Sequence, residues 1–226
     1  MADESAKLER GLRRAAGRLA GLASELERVD ASNLTADEWL HLRARIGNLM
    51  ADFDDSAAAV DRTLDIGGAY DRILRYLRLR VGERVTMAEV SGVAGIHEWA
   101  RRVRELREDG WPIHSAVTRA DLHVGEYLLE ADRRDPDLAS DWATAKKMRK
   151  LRTIGGPVAP KQRMLEYLKA ISPRAADKEQ LAHVAGSTRE SERLLAELAD
   201  DGWRILSSDD DRTLGAGERR IALFDR

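Results

Sequence analysis

The side chains in this sequence whose types and spacing suit a specific chemistry are clustered basic residues. One cluster lies in segment 95–107, where a helix is predicted, and it contains His97, Glu98, Arg101, Arg102 and Arg104. A guanidinium group pairs with phosphate oxygens and with the edge of guanine, so this cluster predicts contact with a nucleic acid. The alternative is a solvated helix on which the arginines pair with glutamates three or four positions away.

A second cluster lies in segment 133–163, which holds nine basic and three acidic side chains and therefore a net charge of +6. Its most basic part contains Lys146, Lys147, Arg149 and Lys150. Positive charge at this density predicts salt-sensitive contact with phosphate that does not depend on base sequence. A solvated linker helix is the alternative. The whole chain has a net charge of −2, so positive charge is concentrated in one segment rather than spread along the sequence.

Six further arginines are candidate contacts with a nucleic acid: Arg119, Arg189, Arg193, Arg212, Arg219 and Arg220. Arg189 and Arg193 share their predicted helix with many acidic side chains, which would repel phosphate. The segment around them therefore predicts contact either with DNA or with a protein.

Signals for catalysis are weak. The chain has no cysteine, which excludes disulfides, thiolate metal sites and cysteine nucleophiles. Its five histidines form no recognisable catalytic constellation, and the sequence has no phosphate-binding glycine loop and no His-Glu-x-x-His motif. The acidic runs around residues 52–55 and 209–211 lack the spacing of metal ligands, and we interpret them as solvated turns. We expect a protein that is not an enzyme, with no catalytic residue, no metal and no cofactor.

An internal repeat indicates which elements position the basic residues. Three blocks of sequence recur in the same order at an offset of 91 or 92 residues: 72–77 with 163–168, 101–113 with 193–205, and 122–126 with 214–218. Three blocks in register indicate a domain duplication, and two copies are too few for a solenoid.

Each copy predicts the same succession of helices and strands. A short amphipathic helix comes first, and a capping box at Thr86 or Asp177 then begins a second helix. A third helix ends at Gly110 or Gly202, after which apolar residues alternate as they do in a strand. A polar loop and a return strand follow, the latter at 125–129 or 217–223. The predicted fold class is therefore mainly α with small β wings (α+β).

This order of elements, together with the pattern of Arg101–Ile113 followed by Leu122–Tyr127, resembles winged helix-turn-helix domains of bacterial transcriptional regulators. It also resembles the winged helices appended to HNH restriction endonucleases, although no nuclease domain is found in this sequence. The resemblance implies that the third helix of each copy enters the major groove and that the wing contacts the flanking backbone.

The N-terminal region has a different pattern. Apolar residues recur at three- and four-residue spacing through 8–29 and again through 39–60, and a capping box at Thr35 begins the second run. Two long helices in an antiparallel hairpin are predicted. A lone hairpin buries little surface, so we expect it to form a four-helix homodimer. Packing against the first winged helix is the alternative. The predicted domains are a hairpin at 1–66, winged helix 1 at 67–132, a basic helical connector at 133–163 and winged helix 2 at 164–226.

The sequence therefore predicts a protein that binds double-stranded DNA, as a dimeric transcriptional regulator. The alternative function is an accessory subunit that uses tandem winged helices to bind a partner chain, as in chromosome-organising complexes. We find no apolar signal-peptide core near the N-terminus and no apolar run of membrane-spanning length, so we expect a cytoplasmic, nucleoid-associated protein without membrane contact.

Overall fold

The computed structural model of the chain describes residues 2–153, 156–215 and 217–222. The described chain is mainly helical with small antiparallel sheets, as the α+β prediction requires. It divides into two compact units, one of Met1–Arg72 with Ser91–Trp99 and the other of Ile73–Val90 with Ala100–Arg226. Leu223, the last residue of the predicted return strand 217–223, lies outside the described residues.

The first unit contains two long helices, α1 (Ala2–Glu27) and α2 (Ala36–Thr63). Arg18 forms an ion pair with Asp52, and Arg45 forms one with Glu25, so the two helices run antiparallel. The predicted hairpin is therefore present. The capping box at the start of α2 is also confirmed, because the Thr35 hydroxyl accepts a hydrogen bond from the Glu38 backbone and the Glu38 side chain accepts one in return.

Six elements form the first sequence repeat: α3 (Ala69–Leu79), β1 (Val85–Thr86), α4 (Met87–Ala94), α5 (Trp99–Glu108), β2 (Ile113–Ser115) and β3 (Glu126–Leu129). The three strands form an antiparallel sheet in the order β1-β3-β2, with Ile113 opposite Leu129 and Val85 opposite Tyr127. The predicted capping box before α4 is confirmed, since Thr86 and Glu89 exchange hydrogen bonds.

Gly110 ends the first repeat's third helix as the sequence predicts. Its φ of +89° is in the left-handed region, which glycine adopts without steric cost. A Cβ atom at this position would lie 2.5 Å from the backbone oxygen of Asp135, so the turn also needs glycine for space. This turn leads the chain from α5 into β2.

The basic segment forms helix α6 (Pro136–Arg149), capped by the Asp135 side chain, followed by a two-stranded hairpin of β4 (Arg152–Thr153) and β5 (Gly156–Pro157). Trp142 and Ala145 of α6 are fully buried in a core shared with the helices of the second repeat. Packing of this helix therefore fixes the direction of its exposed basic face.

The second repeat contains five elements: α7 (Pro160–Ile171), α8 (Lys178–Ala185), α9 (Thr188–Asp200), β6 (Ile205–Leu206) and β7 (Arg220–Ile221). Its core includes Met164, Tyr167, Leu181, Leu194 and Leu198. The capping box from Asp177 to Gln180 is confirmed at the start of α8.

The two repeats share one pattern of strand contacts. An isolated antiparallel bridge joins Ala176 to Arg219, at offsets of 91 and 92 from the pair Val85 and Tyr127 of the first repeat. The repeat found in the sequence thus extends to the order and pairing of elements. The bounds of the four predicted domains and the tandem winged-helix arrangement stay predictions.

Candidate nucleic-acid interface

Two of the arginines on α5 that are predicted to contact DNA form ion pairs with a carboxylate of the same helix. Arg101 and Arg102 both pair with Glu105, at 3.2 and 2.5 Å. His97 and Glu98 are exposed just before the helix begins. Pairs at i, i+3 and i, i+4 stabilise a helix weakly and leave the arginines partly neutralised. These residues fit the solvated-helix alternative better than their sequence alone indicated.

Arg104 differs from its neighbours. It is exposed and forms no ion pair with any described residue. It lines an open cleft of about 700 Å³, together with Arg107 of α5, Arg149 of α6, His183 of α8 and Thr188 of α9. We call this the α5–α9 cleft. Arg104 is therefore the α5 arginine best placed to bind an anion from outside the protein.

The charges around His183 indicate a positive potential in the α5–α9 cleft. The pKa of His183 is lowered, first by burial and then by Arg149, with smaller contributions from Lys146 and Arg104 against an opposing effect of Glu108. Arg149 also donates a hydrogen bond to the backbone oxygen of His183, at 2.6 Å. Cations from two helices therefore act on one imidazole, and the cleft lining contains three guanidinium groups against the two carboxylates of Glu126 and Glu179.

The other basic residues of α6 have different surroundings. Lys146 pairs with Glu108 of α5 at 2.6 Å, so the predicted connector contacts the first repeat's third helix. Lys147 and Lys150 are exposed and form no ion pair within the described chain. Lys146 and Arg149 lie at i and i+3 and share one face of α6, and Lys150 is the residue that ends the helix. The structure therefore brings the two predicted basic clusters together.

Arg107, which sequence reasoning missed as a functional candidate, is buried next to these residues. Its guanidinium forms an ion pair with Glu179 of α8, and it donates a second hydrogen bond to the Thr118 hydroxyl at 3.2 Å. Ser115 donates to the same Glu179 carboxylate at 3.4 Å. This buried pair joins the third helix of the first repeat to the second helix of the other. In the sequence, the position of Arg107 beside Leu106 on the apolar face of α5 is the signal that could have predicted its burial.

The remaining predicted arginines lie outside the lining of the α5–α9 cleft in the described structure. Carboxylates neutralise three of them: Asp121 pairs with Arg119, Glu190 and Glu197 pair with Arg193, and Asp211 pairs with Arg220. Arg219 donates to the backbone oxygen of Glu218 at 2.8 Å. Arg189 and Arg212 are exposed without an ion pair to a described residue. The second repeat therefore offers fewer available cations than its arginine count indicates.

The described residues contain no group of three or more His, Asp or Glu side chains that could hold a metal ion. Among the described helices, none combines the length and the apolar character needed to cross a membrane.

Residues 70–130 match the model of a known family, the KpnI N-terminal domain. The match extends from the second residue of α3 to one residue beyond β3 and covers somewhat more than a quarter of the chain. No curated protein and no solved structure matches the chain. The matched segment contains Arg104 and the buried Arg107, whereas Arg149 and His183 lie beyond it.

Proposed function

We propose that this chain binds double-stranded DNA and acts as a DNA-associated protein of a restriction system, with the α5–α6 surface as its main contact. The family match supports this proposal, because the KpnI N-terminal domain is associated with restriction enzymes. It agrees with the resemblance to winged helices appended to restriction endonucleases. A protein bound to DNA in this way would be nucleoid-associated.

The observation that carries the proposal is that Arg104 of α5 and Arg149 of α6 line the α5–α9 cleft together with His183. Arg104, Arg149 and Lys150 are not neutralised by a carboxylate of the described chain. A guanidinium or ammonium without an internal partner gains most from contact with a phosphate oxygen. DNA backbone contact at this surface would supply affinity and position, while base edges would be read by neighbouring side chains of α5.

The order of elements supports a winged-helix mode of binding. In each repeat, three helices precede an antiparallel strand pair, which is the order of elements in a winged helix, where the third helix is the recognition helix. We propose that α5 enters the major groove and that the loop between β2 and β3 contacts the adjacent backbone. The second repeat would contribute less, through Arg189 and Arg212. Action as a transcriptional regulator and as a homodimer joined by the N-terminal helices is part of the same proposal.

The experiment measures binding to a random-sequence DNA duplex by fluorescence anisotropy over a range of salt concentrations. The protein is the full chain, and the test variant carries Arg104→Gln, Arg149→Gln and Lys150→Gln. We expect the slope of log affinity against log salt to lose about 0.9 for each removed phosphate contact. A matched control changes three basic residues of the second repeat that carboxylates already neutralise, by Lys161→Gln, Arg193→Gln and Arg220→Gln, and it should keep most of the slope. Absence of binding by the unaltered chain at low salt would overturn the proposal.

A second candidate function is protein binding through the second repeat. Segment 164–226 has a net charge of −3, and its helix α9 presents Glu190 and Glu197 in ion pairs with Arg193. This surface suits a partner chain better than a phosphate backbone. If the control triple variant abolished DNA binding while the test variant did not, the DNA contact would belong to this repeat and the protein-binding candidate would fail.

A further inference from the structure

Helix α1 presents an apolar stripe to solvent in addition to the face that contacts α2. Gly11 and Gly21 approach Val60 and Leu49 of α2, which identifies the inner face. The stripe consists of Leu12, Ala16, Leu19, Ala23 and Leu26, and all five side chains are exposed. Its leucines are 54%, 47% and 46% accessible. We call this set the outer stripe. Its spacing of four, three, four and three residues is the repeat of a helix-packing seam.

The outer stripe continues onto α2. Gly11, Arg18 and Glu25 face α2, and Leu12, Leu19 and Leu26 each come one residue later, which is a rotation of about 100° from the hairpin interface. Met50 follows the inward Leu49 in the same way and is 41% accessible. Because the two helices are antiparallel and right-handed, the same rotation on each brings the side chains to one side of the hairpin. Leu12, Leu19, Leu26 and Met50 thus form one exposed apolar face.

Charges along the edge of the outer stripe indicate what covers it. Arg13, Ala20 and Glu27 each follow one of its leucines and border it at equal spacing. Among the described residues, Arg13 pairs only with Glu9, in a highly exposed ion pair, and Glu27 forms no ion pair. An antiparallel second copy of α1 centred on Ala20 would bring Arg13 against Glu27 at both ends. A parallel copy would oppose like charges.

The level of Met50 fits the same symmetry axis. Arg18 lies beside Asp52 and Gly21 lies beside Leu49, so Ala20 lies level with Met50. A two-fold axis through Ala20 on α1 therefore also passes Met50 on α2, and the two hairpins can meet as a closed four-helix bundle. From Leu12 to Leu26 the contact would extend about 21 Å along each helix.

We infer that the outer stripe is a homodimer interface, in which α1 packs antiparallel against α1 of a second copy with Ala20 at the centre. This inference rests on the proposed homodimer and gives it a specific face and direction. It does not depend on DNA binding, so the failure of one leaves the other standing.

The first experiment measures the mass of the full chain in solution by sedimentation velocity over a range of concentrations. The unaltered chain should sediment as a dimer of the 25.2 kDa protomer. Leu19→Lys places a charge at the middle of the stripe and should give a monomer. The matched control Leu40→Lys alters a leucine of α2 that is 60% accessible and about 80° from Met50 around the helix, and it should stay a dimer. Circular dichroism checks that both variants keep their helix content.

Charge reversal tests the direction of packing. Arg13→Glu should weaken the dimer by about tenfold, since two pairs per dimer become repulsive. Adding Glu27→Arg in the same chain should restore the affinity, because each new glutamate then meets a new arginine. A dimer unaffected by Leu19→Lys would overturn this face, and an unaltered chain that stays monomeric at every concentration would overturn the homodimer itself. Loss of affinity without rescue in the double variant would overturn the antiparallel direction.

Discussion

The buried ion pair between Arg107 and Glu179 is the contact between the two repeats whose removal has the most definite consequence. The side chain of Arg107 is only 7% accessible, whereas that of Glu179 is 28% accessible. Removing one member leaves the other without its counter-charge. Because the two are unequally buried, the two single variants should destabilise the protein by unequal amounts.

The magnitudes follow from what each variant leaves behind. Glu179→Met leaves a buried guanidinium whose remaining side-chain partner among the described residues is the Thr118 hydroxyl. Removing one partner of a buried pair costs 3–5 kcal/mol, and partial access of water at the Glu179 side brings the expected loss to about 3 kcal/mol. Arg107→Met keeps the apolar stem and leaves a carboxylate that water and Ser115 can still reach, so its expected cost is about 1 kcal/mol.

The assay is urea unfolding of the two single variants and of the double variant that carries both methionines. The double variant leaves no unpaired buried charge, so it should be more stable than Glu179→Met alone. The coupling energy between the two substitutions should be at least about 1 kcal/mol. Arg193→Met is the control, because it breaks an exposed pair with Glu190 and should cost less than about 0.5 kcal/mol. Equal costs for the two single variants, or a double variant as unstable as their sum, would refute the reasoning.

Three further predictions concern pH and backbone conformation. Duplex DNA bound at the α5–α9 cleft should raise the lowered pKa of His183, because phosphate offsets the surrounding cations; an NMR titration that shows no rise would contradict phosphate binding there. The pKa of Glu89 is lowered from 4.5 to about 2, first by the backbone and hydroxyl of Thr86, so its contribution to stability is complete above pH 4.5 and is lost as the pH falls toward 2. Urea unfolding at pH 5 and pH 3 should therefore show a smaller pH dependence in Glu89→Gln than in the unaltered chain, and an equal dependence would count against this assignment. Gly110→Ala should destabilise the protein by more than about 2 kcal/mol, because the alanine would be strained in the left-handed conformation and would clash with Asp135. The control Gly92→Ala should be neutral or stabilising, since its Cβ atom would lie within 4 Å of no described atom. Similar thermal midpoints for the two variants would contradict this prediction.

Much of the local structure could be predicted from the sequence because its causes are local. A capping box needs only Thr35 and Glu38, three residues apart, and a helix stop needs only a glycine such as Gly110. The duplicated order of helices and strands follows from such signals repeated at a fixed offset. The sequence also predicted the pairing of Arg101 with Glu105 as the alternative to DNA contact, because residues four apart share a helix face.

The candidate site was predicted only in part, because availability for DNA depends on distant neighbours. Arg104 and Arg149 were both candidates, but only the fold places them with His183 in the lining of one cleft, to which α5, α6 and α8 contribute. Arg107 and Glu179 are 72 residues apart, and no spacing rule relates them. The acidic neighbours of Arg193 in the sequence already made it a weaker candidate than Arg104, and carboxylates pair with both Arg193 and Arg220 in the structure.

The N-terminal helices show the same division. By itself, the sequence determined that 8–29 and 39–60 form amphipathic helices, because the three- and four-residue spacing of apolar side chains is a property of the chain. It could not divide those side chains between two faces. Only the tertiary structure did so, by placing Gly11 and Gly21 against α2 and leaving Leu12, Leu19 and Leu26 exposed. The physical reason is that periodicity fixes which residues share a face, whereas burial depends on what packs against that face.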